Sequence, residues 1–193
     1  MNDNEIKSIL LAGVGGQGIL RASDIMCMVM MKAGLDVKKS EVHGMAQRGG
    51  CVTSHVRYGK KVYSPLAGQG TIELLVAFEK MEALRYLDSL SKDASIIVNV
   101  EELYPPSVNL GDADYPDDII PFLKKNYSRV IEIDATVLAK RAGSVKAANV
   151  VLLGAMSNLM DIEPAVWEAV IKESFPEKLI KLNLDAFQMG RNG

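Results

Sequence analysis

The chain predicts a three-layer α/β domain: a mostly parallel sheet with an antiparallel hairpin at one side and helices on both faces. Three features point there. The apolar run of residues 6–12 leads into Gly13-Val14-Gly15-Gly16-Gln17-Gly18 and then into an apolar segment of helical period, the pattern of a buried strand, a tight turn and a helix. Short apolar runs at residues 72–78, 95–100 and 129–133 alternate with helical segments, as parallel strands separated by crossovers do. Residues 51–58 alternate in polarity, Gly59-Lys60 follows, and residues 61–64 alternate again, the signature of a hairpin.

Taken in order, residues 6–12 form the first strand and residues 16–33 its helix, with Ile19, Leu20, Ile25, Met26, Val29 and Met30 at helical spacing and Gly34 as the stop. Met26, Met28, Met30 and Met31 lie too far round this helix to share one face; they read as adaptable core filling, with a subunit interface as the alternative. A second strand over residues 35–40 completes a βαβ start, whose crossover would be right-handed if the strands pair in parallel. After the hairpin come the strand at 72–78, a helix over residues 79–90 and the strand at 95–100. Residues 101–121 carry four of the seven prolines and read as irregular surface chain. A strand at 129–133 and helices at 135–142, 147–160, 164–174 and 177–189 finish the chain, with Pro164 in a favoured first-turn position.

With 193 residues, 48% of them hydrophobic and 24% charged, the chain is large enough for a substantial core and is read as one domain over residues 1–193. A net charge of −2 and dispersed cations offer no field for nucleic acid. The longest apolar runs, such as residues 147–153, fall far short of a membrane span and the N-terminus is acidic, so a cytoplasmic protein with no membrane partner is expected. Cys27 and Cys51 stand without C-x-x-C spacing, so neither a zinc site nor an iron–sulfur cluster can be assembled from this chain alone.

Gly13, Gly15 and Gly18 fit the G-x-G-x-x-G spacing, in which absent β-carbons allow a tight turn and close approach of a ligand's oxygens, with the helix N-terminus offering free N–H donors to an anion. A dinucleotide site also needs an acid ending the second strand. Asp36 lies at the start of that strand, and Glu41 leads into a second glycine-rich stretch, so neither is well placed for a ribose.

That second stretch, Ser40-Glu41-Val42-His43-Gly44-Met45-Ala46-Gln47-Arg48-Gly49-Gly50, interleaves polar groups with flexible backbone. Arg48 presents a planar fork suited to carboxylate or phosphate and Gln47 both donates and accepts, although a tight turn whose arginine pairs with a surface acid would read the same way. Loops after the first two strands share one sheet edge if those strands are parallel, so the candidate anion-contacting residues are Gly13, Gly15, Gly16, Gln17, Gly18, His43, Gln47, Arg48, Gly49 and Gly50. No Ser, Cys or carboxylate partner marks His43 as a proton carrier, and His55, inside an alternating strand, reads as structural.

The two glycine stretches, with Ser54-His55-Val56-Arg57, Ser64-Pro65-Leu66, residues 79–85 and Asn149-Val150-Val151-Leu152-Leu153-Gly154-Ala155, resemble the gamma-type subunits of the 2-oxoacid:ferredoxin oxidoreductases. Within the family the chain is most similar to the small subunits of the branch acting on indolepyruvate; the pyruvate, 2-oxoisovalerate and 2-oxoglutarate branches are alternatives. The resemblance implies oxidative decarboxylation: a 2-oxoacid, coenzyme A and oxidised ferredoxin give an acyl-CoA, carbon dioxide and reduced ferredoxin. It also implies that thiamine diphosphate, Mg and [4Fe-4S] clusters belong to a larger partner subunit, with ferredoxin reached through the complex and this chain inactive alone. Two rivals of other classes remain, a self-sufficient NAD-dependent oxidoreductase and a noncatalytic nucleotide-binding module.

Overall fold

The computed structural model describes residues 6–44 and 50–193. One six-stranded sheet runs through it in the order β2-β3-β1-β4-β5-β6. The strands are β1 (Lys7–Val14), β2 (Asp36–His43), β3 (Cys51–Gly59), β4 (Ile72–Ala77), β5 (Leu90–Asn99) and β6 (Arg129–Ile133). β1, β4, β5 and β6 are parallel to one another, whereas β3 is antiparallel to both β1 and β2.

The expected α/β architecture is present, with two local corrections. β1 and β2 run the same way but do not pair, because β3 is inserted between them and takes the hydrogen bonds that a direct βαβ unit would have used. The hairpin joins β2 to β3, not β3 to residues 61–64. Asp36 at the start of β2 explains the second point: its carboxylate accepts the Val62 amide at 2.9 Å and pairs with Lys61, holding residues 60–64 as irregular chain off the sheet.

Helices cover both faces. On one lie α1 (Ile19–Lys32), α5 (Ala135–Ala142), α6 (Ala148–Ser157), α7 (Pro164–Ser174) and α8 (Glu177–Asn192), packed around a core that includes Ile25, Met26, Met30, Val76, Ile97, Trp167 and Phe187. On the other, α2 (Lys80–Arg85) and α4 (Ile119–Asn126) cover Leu10, Leu75, Ile96 and Val98, while α3 (Pro106–Asn109) is a single turn on the connecting chain. The methionines of α1 divide: Met26 and Met30 are fully buried, Met28 is half-buried and Met31 is 56% exposed.

Several terminations follow from local chemistry. α5 starts where the Asp134 carboxylate accepts the Val137 amide and stops at Gly143 in the left-handed region. α7 opens with Pro164 in its first turn. α4, missing from the reading of residues 101–121 as loop, holds Pro121 in its first turn, where no intrahelical donor is required. α6 and α8 cross at glycine: a β-carbon on Gly154 would stand 2.1 Å from the Phe187 carbonyl oxygen, and one on Gly190 1.9 Å from that of Val151.

Candidate functional site at the carboxyl edge of the sheet

β1 ends in the first glycine loop and β2 in the second, so both emerge at the carboxyl edge despite the strand between them. They are joined there by the Gly15 amide, which donates to the Gly50 carbonyl at 2.9 Å. At the base of the second loop the Gly44 amide donates to the Cys51 carbonyl at 2.8 Å. Gln47, Arg48 and Gly49 lie outside the described residues; His43 and Gly44 are exposed and Gly50 half-buried at the rim.

Within the first loop the residues do different things. Gly13 is buried, and a β-carbon there would meet Gln17 Oε1 and Phe78 Cβ at 2.7 Å each. Gly18 holds φ +79° as the N-cap of α1, which no side chain caps and which carries no acid in its first turn. That end therefore presents uncompensated positive dipole to the edge. Gln17 turns inward: its Oε1 accepts the Val14 amide at 2.8 Å, and its Nε2 donates to the Phe78 carbonyl at 2.9 Å and to Glu101 at 3.0 Å. Both ends of its amide are thus engaged in fixing the loop.

Beside the loop opens a cavity of about 380 Å³, lined by Gly16 to Gly18, Phe78, Asn99, Glu101, Thr136 and Lys146 among others. Asn99, at the carboxyl end of β5, is buried; its Nδ2 donates to Phe78 O at 3.0 Å and its Oδ1 accepts the Ala135 amide at 3.0 Å. Neither Asn99 nor Glu101 was among the expected site residues, although an acid just past an apolar parallel strand is a visible signal. The acid of this edge follows β5. Asp36 instead sits at the amino end of β2, and Glu41 pairs with Lys39 at 2.6 Å on the outermost strand, so neither reaches the glycine loop. The cavity combines one cation, one carboxylate and amide groups, a surface able to hydrogen-bond a polar ligand of mixed character.

A second polar cluster supports the rim from below. Cys51 Sγ lies 2.6 Å from the Tyr86 hydroxyl and 3.2 Å from Glu82 Oε2, and Arg85 donates to the other Glu82 oxygen at 2.7 Å. Burial is the main cause that raises the Cys51 thiol above its ordinary range, so it stays protonated. Burial likewise lowers His55, which is half-buried in the middle of β3 opposite Ser40.

The model of the pyruvate ferredoxin/flavodoxin oxidoreductase family matches residues 8–193. A relative from Archaeoglobus fulgidus named indolepyruvate oxidoreductase subunit IorB is 43% identical over 96% of this chain and 94% of its own length. Its namesake from Thermococcus kodakarensis is 36% identical over 95% and 93%. Among solved structures, the gamma subunit of a keto/oxoacid ferredoxin oxidoreductase from Geobacter sulfurreducens superposes with a TM-score of 0.72 at 26% identity, covering 96% of each chain. A pyruvate oxidoreductase subunit from Thermotoga maritima shares the fold with a TM-score of 0.74 at 21% identity. With a family match that spans nearly the whole chain and relatives that are themselves small subunits of such enzymes, this chain belongs to the pyruvate ferredoxin/flavodoxin oxidoreductase family.

Proposed function

We propose that the chain is the small, non-autonomous subunit of an assembled 2-oxoacid:ferredoxin oxidoreductase whose substrate is indolepyruvate. The substrate reading is supported by the relatives at 43% and 36% identity that carry that name; relatives named for 2-oxoglutarate and for ketoisovalerate stand at 28% and 25%. What the chain itself contributes rests on one observation, the Gly15–Gly50 hydrogen bond that makes two glycine loops into one rim at 2.9 Å.

In this reading Gly16, Gly18 and the uncapped start of α1 offer backbone donors, and Arg48 and Gln47 add side-chain contacts to a phosphate of coenzyme A or to the oxoacid carboxylate. Gly13 and Gln17 hold the loop in shape, His43, Gly49 and Gly50 complete the rim, and the neighbouring cavity takes less charged parts of the ligand. Thiamine diphosphate with Mg and [4Fe-4S] clusters, on the larger partner, supplies decarboxylation and one-electron transfer to ferredoxin. No grouping of His, Cys, Asp or Glu among the described residues is arranged to hold a metal ion, and Cys27 and Cys51 sit apart on α1 and β3, so these residues do not fit those groups.

The test has two stages. The isolated chain is expected to show no turnover with indolepyruvate, coenzyme A and ferredoxin and no NAD binding, and to yield an active enzyme once a thiamine-containing partner is added; turnover by the chain alone sinks the proposal. In the assembled enzyme Arg48→Ala is expected to raise KM for coenzyme A or the oxoacid about tenfold, the loss of one charge-assisted hydrogen bond. Unchanged kinetics for both ligands would remove Arg48 from the site.

A further inference from the structure

We propose that two copies of this chain associate through the edge strand β2, joining their sheets in antiparallel register about a two-fold axis at Ser40. β2 is the terminal strand of the sheet, and among the described residues the backbone of residues 36–43 bonds only to β3. Its outer edge therefore offers the unused donors and acceptors of every second residue along an eight-residue strand, the usual template for another strand.

The side chains specify which strand fits. A two-fold axis perpendicular to a continuous sheet opposes residues that lie on the same face, so the register centres on a single residue. Centring on Lys39 stacks two lysines at the axis, and centring on Glu41 stacks two glutamates. Centring on Ser40 opposes Lys39 to Glu41 of the second copy twice over, Lys38 to Val42, and Val37 to His43. Lys39 and Glu41 already share a face, 2.6 Å apart in one chain, so the second copy turns this pair into an alternating square of charges. Val42, 59% exposed, gains the aliphatic stem of Lys38 as cover. A foreign strand that sets cations opposite Lys38 and Lys39 is repelled, which is how a charged edge rejects it.

A second feature lies alongside. On the flank of α1 whose Asp24 pairs with Lys39, Leu20, Cys27 and Met31 recur at helical spacing, Met31 56% exposed and the other two half-buried. Edge pairing brings the same flank of the second copy's α1 to the same side of the joined sheet, so this apolar stripe gains a partner of its own kind.

The test uses the full chain, alone and in the assembled complex. Wild type is expected to sediment as a dimer, and Lys39→Glu or Glu41→Lys, which oppose like charges, are each expected to dimerise at least about tenfold more weakly. An equimolar mixture of the two variants restores opposite charges at every pair and is expected to form the heterodimer, a rescue that a misfolded variant cannot give. Ser40→Cys in the complex is expected to form a disulfide with its own copy under mild oxidation. A monomeric wild type, variants that dimerise like wild type, a mixture that fails to associate, or a Ser40→Cys cross-link to the larger subunit would each overturn the proposal.

Discussion

Two glycine-bearing regions of this molecule use the same residue for opposite reasons. At the rim, a β-carbon on Gly15 would find nothing nearer than 3.6 Å and one on Gly16 nothing within 4 Å. At the crossing of α6 and α8, β-carbons on Gly154 and Gly190 would stand about 2 Å from carbonyl oxygens of the facing helix. Empty space around a glycine directs attention outward, to a ligand or another subunit, whereas filled space directs it inward, to packing. Sequence spacing alone distinguishes the two poorly, because Gly154 also sits within a stretch that resembles the family.

The largest test of this contrast is Gly190→Ala. Alanine favours a helix over glycine by about 1 kcal/mol, so propensity alone predicts stabilisation. A contact of 1.9 Å with the Val151 carbonyl oxygen reverses the sign, because two helix backbones must separate to relieve it. A loss of about 3 kcal/mol or more is expected from the denaturant midpoint. A neutral or stabilised variant would mean the helices cross more loosely than described.

Gly16→Ala is the complementary experiment, with a smaller effect on folding. Gly16 adopts φ +104°, which costs an L-residue about 1–2 kcal/mol, but the new methyl group meets no protein atom within 4 Å. If the rim binds as proposed, a modest drop in Tm should accompany a larger fall in kcat/KM of the assembled enzyme, since the methyl group would stand in open space at the rim. If the two losses are equal in free energy, Gly16 serves loop shape alone and the contrast between the regions weakens.

How much of this was legible beforehand follows the same division between local and long-range causes. The observed bounds of β6, α5 and α7 match the expected ones residue for residue, and in the structure the two helices are bounded by local chemistry, an Asp134 cap, a Gly143 stop and a Pro164 start. α4 was hidden by Pro121, a helix breaker in general but harmless in the first turn where it sits. The insertion of β3 between β1 and β2 could not be read from periodicity, because alternation specifies which face a residue takes and not which strand it meets. The shared edge of the two glycine loops was anticipated for an incomplete reason: β1 and β2 are parallel but not adjacent, and the loops meet because the second one turns directly into β3. Glu101 and Asn99 fall outside the expected site because a simple βαβ unit places its acid at the end of β2, whereas here the acid follows β5.

The finest test asks whether the flank of α1 beside β2 is as dry as the helix crossing. Cys27 lies on α1 facing β2, and burial pushes its thiol from its ordinary 9.0 up to about 11, with Lys39 opposing and Asp24 and Glu41 adding to the rise. A raised value means that the folded chain holds the proton more tightly than the unfolded one. Its contribution is fully present below pH 9 and is lost as pH climbs toward 11. The ceiling for that rise is about 2.7 kcal/mol, and residual solvent access at a half-buried site brings the expectation nearer 1 kcal/mol. Tyr86 and Tyr115 are also raised, chiefly by burial, and destabilise the fold in more alkaline solution, so wild-type stability alone does not isolate the thiol. The difference between wild type and Cys27→Ala does, because both tyrosines cancel in it. Denaturant melts between pH 8 and 11 should show the wild-type advantage shrinking by about 1 kcal/mol. A difference flat across that window would mean that water reaches the flank of α1 freely, and the contrast between the dry α6–α8 crossing and the outer edge of the same helix layer would then be sharper still.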